Sequence, residues 1–224
     1  MTKATVSKLV PRVGPSRRQQ YSAATRAALI DMGEELFTEH GYSATSLDAI
    51  VAGAEVTKGA LYHHFSGKQA LFEAVFERVE AAAAKAVTDA VEGHADPWEK
   101  ALAGLRAFLG VVQQPTYRRV VILEGPAVLG WTRFREQAER STFATVLEIV
   151  SSVLQAGGPE LDDAMVDTFS RIFFGAMSSA GEWVSTSQDP NAAAARVEAA
   201  IGFILAGMRM QLEAGVDVDD GRAD

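Results

Sequence analysis

Six cations, Lys3, Lys8, Arg12, Arg17, Arg18 and Arg26, stand in the first 26 residues without a single acid. That is the spacing of an arm able to neutralise phosphates, or of a solvated basic leader, and only the rest of the chain can decide between them. Other chemistry is thinly supplied. The chain has no cysteine and four histidines, so it offers no thiolate nucleophile, no disulfide framework and little for a zinc site. His63 and His64 are adjacent, which on a helix points them about 100° apart, and no third ligand lies nearby in sequence. No Gly-rich phosphate loop follows a strand pattern, and no Gly-x-Ser-x-Gly elbow occurs. We therefore expect no catalytic residue, no metal site and no cofactor.

With 224 residues, 48% of them hydrophobic, the chain can bury a substantial core. Its formal net charge of -8 argues on its own against an acidic polymer as partner. The distribution reverses that argument. Outside the basic segment, 15 bases face 29 acids, so the positive charge is concentrated at one end. No apolar run approaches the roughly 18 to 20 residues that span a bilayer; the longest, Ile201 to Met208, is far shorter. The basic start lacks the apolar stretch of a secretory signal. We expect a cytoplasmic protein with no membrane contact.

The periodicity is helical throughout, with no strand alternation and no internal repeat, so the expected class is all-α with about nine helices. Residues 1–20 hold Pro11, Gly14 and Pro15 without periodicity and read as a disordered basic arm. A first helix from about Ala23 ends at Gly41. Thr45 is placed to cap a short helix from Ser46 to about Ala52, with Asp48 as a weak capping box. Thr57 is placed to cap a second short helix to His64, and Ser66 to cap a long one through Val79. Two short helices separated by about four residues make a helix-turn-helix, whose second helix can enter a major groove. Further on, Asp96-Pro97 and Asp189-Pro190 open helices, one long helix is expected over about Val128–Ala156, and another over about Asp162–Ser185. We divide the chain into the arm (1–20), a helix-turn-helix domain (21–72), a larger helical domain (73–215) and an acidic tail (216–224).

The stretch from Thr45 to Leu71, TSLDAIVAGAEVTKGALYHHFSGKQAL, resembles the signature of the TetR family of transcriptional regulators. The resemblance rests on Thr45, Ile50, Ala52, Ala54, Val56, Thr57, Gly59, Leu61-Tyr62, His64-Phe65 and Lys68 through Leu71. About a dozen positions of unlike chemistry in 27 residues make it specific. It implies a homodimer on double-stranded operator DNA, released by an unidentified small-molecule effector. Thr57, Lys58, Gly59 and Ala60 match positions that face base edges, where Lys58 would donate to guanine O6 and N7. Tyr62 and His63 match phosphate-contacting positions, as does Lys68 in the next helix. Thr45 and Ser46 would meet the backbone, and Arg26, Arg17 and Arg18 would extend the footprint. Each also has a structural role open to it: Thr45 and Thr57 as caps only, Tyr62 as a packing residue, Lys58 and Lys68 as solvated cations. One departure stands out. A turn position often occupied by Gly in the family is Glu55 here, whose carboxylate would repel phosphates unless it points away or pairs with Lys58.

For the larger domain the resemblance implies dimerisation through the last two long helices, with Phe173, Ala176, Ala180, Ile201, Leu205 and Met208 as the expected contacts. It also implies a ligand cavity, for which Phe108, Tyr117, Trp131 and Phe134 are the expected walls, with Arg106, Glu124 and Arg133 as polar anchors. Two other classes stay open: a helical protein–protein adaptor that has lost DNA binding, and an enzyme on a helical scaffold.

Overall fold

The structure, a computed structural model, describes residues 17–138, 140, 143–157 and 162–214. Most of the expected basic arm and the acidic tail lie outside the described residues. Within them the chain is all-α: ten α-helices and one π-helical segment, with no strand.

The first helix, α1 (Arg17–Ala44), begins earlier than expected. After Pro15 nothing interrupts a run of good helix formers such as Arg and Gln, so Arg17 and Arg18 are exposed helical residues and not part of an irregular arm. At Gly41 the backbone turns to φ 78°, ψ 170° and kinks the chain. Only glycine takes this conformation cheaply, and a Cβ here would collide with the Arg119 guanidinium. Helices α2 (Leu47–Gly53) and α3 (Lys58–His64) follow as two seven-residue helices. Ser46 caps α2, accepting from Ala49 N at 3.1 Å, and Thr57 caps α3, accepting from Ala60 N at 3.2 Å.

Helix α4 (Lys68–Val91) starts at Gly67, with no side-chain cap from Ser66. It crosses the expected domain boundary at residue 72, because its buried stripe is continuous: Leu71, Phe72, Val75 and Phe76 are all fully buried. Phe37, Tyr42 and Phe72 form a three-ring cluster with centroids 5.2–5.9 Å apart, joining α1 to α4. Helix α5 (Pro97–Val112) is capped by Asp96, which accepts from Trp98 N at 2.8 Å.

A π-helical segment (Tyr117–Glu124) and the five-residue α6 (Gly125–Leu129) come next. The single long helix expected over 128–156 is divided. Gly130, at φ 78°, separates α6 from α7 (Trp131–Ala138), and α8 spans Ala144–Gly157. Helices α9 (Asp163–Thr186) and α10 (Pro190–Glu213) match expectation closely, capped by Asp162 and Asp189. α10 packs on α5, α8 and α9. It is also long and apolar enough, by length and composition, to cross a membrane. The expectation that no segment approaches that length overlooked how small residues interspersed in this helix sum with its Ile, Leu, Phe and Met.

Truncating Phe72 removes a fully buried ring from the contact between α1 and α4. Phe72→Ala should cost about 3–5 kcal/mol in urea unfolding followed by helical circular dichroism.

Candidate nucleic-acid interface and effector cavity

Helix α3 packs beside α1 and α2. Thr57, Lys58, Gly59, Tyr62 and His63 are exposed there, Tyr62 by 58%, while Leu61 and Phe65 anchor the other side of α3 in the core. Arg26 lies over the Phe65 ring at 5.3 Å, which puts its guanidinium beside α3. Burial, followed by the neighbouring His63 and Arg26, holds His64 below the usual imidazole value.

Lys58 already has an anion. Its Nζ lies 2.6 Å from Asp48 Oδ1 on α2, and the hydrogen bond and charge of that carboxylate raise its pKa. Asp48, not Glu55, is therefore its partner. Glu55 is the single non-glycine residue of positive φ among the described residues, at 54°. Glu55 N donates to Ala52 O at 3.2 Å and Val56 N to Val51 O at 3.1 Å. This closes α2 with a left-handed residue of the kind glycine usually supplies, at a cost of about 1–2 kcal/mol for a side chain with a Cβ.

Two expected phosphate contacts are turned inward instead. Thr45 is 3% exposed, and its hydroxyl donates to Gly41 O at 2.8 Å and Leu36 O at 3.0 Å. Lys68 Nζ donates to Tyr42 O at 2.7 Å and Thr45 O at 2.8 Å, and sits 4.3 Å from the centre of the Tyr42 ring. The reason is the broken end of α1: helix carbonyls left without partners need donors, and these two side chains supply them. Ser46 is exposed but serves as a cap.

The second feature is a cavity of about 760 Å³ in the larger domain. All four expected walls line it: Phe108, Tyr117, Trp131 and Phe134. None of the expected anchors does. Arg106 pairs with Glu198 at 2.6 Å, Glu124 lies 3.3 Å from Arg119, and Arg133 pairs with Glu73 at 2.5 Å. The lining includes Glu80, which the sequence reading missed; it is 3% exposed, amid otherwise apolar spacing on α4. Burial, the Glu80 charge and a hydrogen bond to Glu80 hold the Tyr117 phenol well above the usual tyrosine value.

The expected dimer residues also divide. Phe173, Ile201, Leu205 and Met208 line this cavity, and Leu205 is buried. Ala180 is half-buried against the core. Of the expected set only Ala176 lies on the exposed apolar face, with Ile172, Trp183, Phe203, Ile204 and Met210. Helices that are apolar all round serve two interfaces, and spacing alone does not tell which side is which.

The cavity and the helix-turn-helix meet at the π-helical segment. Tyr117, Val121 and Ile122 line the cavity, while Arg119 in the same turn donates from Nη2 to His40 O at 3.3 Å. Arg119 Nε is 3.3 Å from Glu124 Oε1, at ion-pair distance but not aligned as a hydrogen bond. Thr38 and Thr116 meet nearby, hydroxyl to hydroxyl at 3.3 Å.

A solvent-facing recognition helix on a small core, joined to a helical domain with an apolar cavity, defines a helix-turn-helix DNA-binding regulator. Residues 29–75 match the model of bacterial regulatory proteins of the tetR family, and residues 98–208 that of the tetracyclin repressor-like C-terminal domain. The TetC protein of transposon Tn10 from Escherichia coli is 28% identical over 143 residues, covering 62% of this chain and 71% of TetC. The transcriptional regulator AcrR of Shigella flexneri is 39% identical over 64 residues, covering 29% of this chain and 30% of AcrR. The crystal structure of a TetR-family regulator from Pectobacterium atrosepticum superposes with a TM-score of 0.73 at 28% identity, covering 86% of this chain and 97% of that one. The chain belongs to the TetR family and is a DNA-binding transcriptional regulator, in a family that is not enzymatic.

The inward-facing lysine and the outward-facing one separate in a stability measurement. Lys68→Met should lower stability by about 2 kcal/mol, the worth of a charge-assisted hydrogen bond to otherwise unpaired carbonyls. Lys58→Ala should leave the urea midpoint nearly unchanged. Glu55→Gly should raise the midpoint by relieving the positive φ, with a gain of up to about 1 kcal/mol after the extra freedom of the unfolded chain is counted.

Proposed function

We propose that the protein is a homodimeric repressor, acting in the cytoplasm, that leaves a palindromic operator when a small molecule occupies its cavity. The observation that carries the DNA-binding part is the exposure of Thr57, Lys58, Tyr62 and His63 on one side of a helix whose other side is locked in the core. Lys58 and Thr57 then read base edges and Tyr62, His63 and Arg26 meet phosphates, with Gly59 and Ala60 keeping the backbone close to the groove. Arg17 and Arg18 extend the contact along the duplex. Thr45 and Lys68 support that surface from within.

A second copy is needed because one seven-residue helix contacts few base pairs, and two-fold symmetry sets two such helices roughly 34 Å apart. The occupant of the α9 and α10 face is proposed to be the same face of the partner. Phe203, 81% exposed, and Met210, 72% exposed, are its most exposed members, and exposed apolar area on this scale marks an interface.

Effector response follows from the π-helical segment. A ligand pressing on Tyr117 and Val121 moves the backbone that carries Arg119, and with it the end of α1 that Arg119 holds. The effect on DNA affinity equals the ligand's differential affinity for the two spacings of the recognition helices.

The test is operator binding by fluorescence anisotropy at several salt concentrations. Wild type should prefer its operator over random duplex, with a log–log salt slope of about -0.9 for each phosphate neutralised. Lys58→Ala should weaken operator binding roughly tenfold or more, whereas Asp48→Asn, which frees Lys58, should tighten binding to random duplex. Phe203→Glu should sediment as a monomer and lose operator affinity. A dimeric wild type without operator preference sinks the repressor reading; an unaltered dimer in Phe203→Glu sinks the assigned interface.

A further inference from the structure

We infer that Asp48 is a specificity-determining residue, which together with Lys58 reads one guanine–cytosine pair of the operator as a unit. This rests on the reading of α3 as the helix that enters the major groove, and names what one pair of side chains recognises there.

Asp48 stands on α2 and Lys58 on α3, and their side chains meet at 2.6 Å with 67% and 62% of their surfaces exposed. Among the described residues neither side chain makes another ion pair. A pair this open to water adds little to the fold, so stability is a weak reason for an acid to stand against the cation of a DNA-binding surface. The residues that follow each partner are small, Ala49 after Asp48 and Gly59 after Lys58. Beyond its chain neighbours, a Cβ on Gly59 would find only the Thr57 hydroxyl, at 3.9 Å. These neighbours leave room for a base edge to reach the pair.

The pair presents donors and an acceptor in a fixed order. Lys58 spends one of its three N–H bonds on Asp48 Oδ1 and keeps two, while Asp48 Oδ2 keeps its lone pairs. Across the major groove a guanine–cytosine pair offers guanine N7 and O6 as acceptors, then the cytosine N4 amine as a donor. Lys58 donates to N7 and O6, and Asp48 accepts from N4. The spacing agrees. O6 and N4 are hydrogen-bonded to each other within the base pair, about 2.9 Å apart, against 2.6 Å between the two side chains. Other pairs fit worse. An adenine–thymine pair sets its amine between two acceptors, so the ammonium keeps one acceptor and the carboxylate faces another. The reversed cytosine–guanine pair offers the same groups in the opposite order to two side chains whose places are set by α2 and α3.

The test removes the cytosine amine alone. Duplexes are selected from a random library by the full-length protein, and binding to the selected duplex is measured by fluorescence anisotropy. Wild type should prefer guanine–cytosine at one position of each half-site by tenfold or more over the other three pairs. Lys58→Ala and Asp48→Ala should each reduce the preference at that same position to threefold or less. Replacing the cytosine there by 2-pyrimidinone, which lacks the N4 amine and leaves guanine in place, should weaken wild type at least fivefold and Asp48→Ala no more than twofold. A preference that survives Asp48→Ala, losses at different positions in the two variants, or a wild type that binds the 2-pyrimidinone duplex unchanged overturns the proposal and leaves Asp48 as a competitor for Lys58. The wild-type measurement with 2-pyrimidinone stands whether or not either variant folds. Selection of no sequence removes the operator reading and this proposal with it; a selected sequence bound alike by wild type and Asp48→Ala removes this proposal alone.

Discussion

The way α1 ends holds the rest of the structure in place. At Gly41, which is buried, a long helix breaks, and carbonyls around the break take side-chain donors. Thr45 answers Gly41 O and Leu36 O, Lys68 answers Tyr42 O and Thr45 O, and Arg119 answers His40 O. These donors come from the loop before α2, from the first turn of α4 and from the π-helical segment. The constraint on unpaired backbone groups therefore ties together three parts of the chain that are distant in sequence. Of these donors Arg119 alone comes from the larger domain, so His40 O is where that domain meets the end of α1.

Helix α4 makes the second connection. Its N-terminal half packs Leu71, Phe72 and Val75 against the helix-turn-helix, and further along the same helix Glu80 and Val87 reach the cavity. Arg78, between these regions, bonds to Asp31 and Glu34 and donates to Ile30 O at 3.1 Å. The helix thus has one end in each domain and is clamped to α1 near its middle. Rigid helices of this kind carry a displacement with little loss, since packed interiors deform poorly.

What could be read in the sequence was local. The helix-turn-helix was legible because the Thr57 cap and a short turn act within a few residues of one another, although the expected caps Thr45 and Ser66 gave way to Ser46 and Gly67. Asp96, Asp162 and Asp189 were legible as caps for the same reason. Thr45 and Lys68, expected at phosphates, donate here to backbone carbonyls, because a hydroxyl and an ammonium suit a phosphate and a carbonyl equally well. The choice is made by residues up to 26 positions away. Glu80 was missed because a lone carboxylate on an apolar stripe has no signature until the walls around it are known. In α9 and α10 the pattern established helices but not their rotation: Ile201 and Phe203 look alike in sequence, yet one lines the cavity and the other faces solvent.

The pair between Lys58 and Asp48 gives the proposed DNA surface a built-in competitor. A phosphate that takes the lysine replaces one anion by another, so a solitary contact with a random duplex gains little. The exchange is favourable only where base edges and neighbouring phosphates engage at the same moment. On the proposed reading, this competition lowers affinity for every duplex and adds contrast between the operator and other sequences.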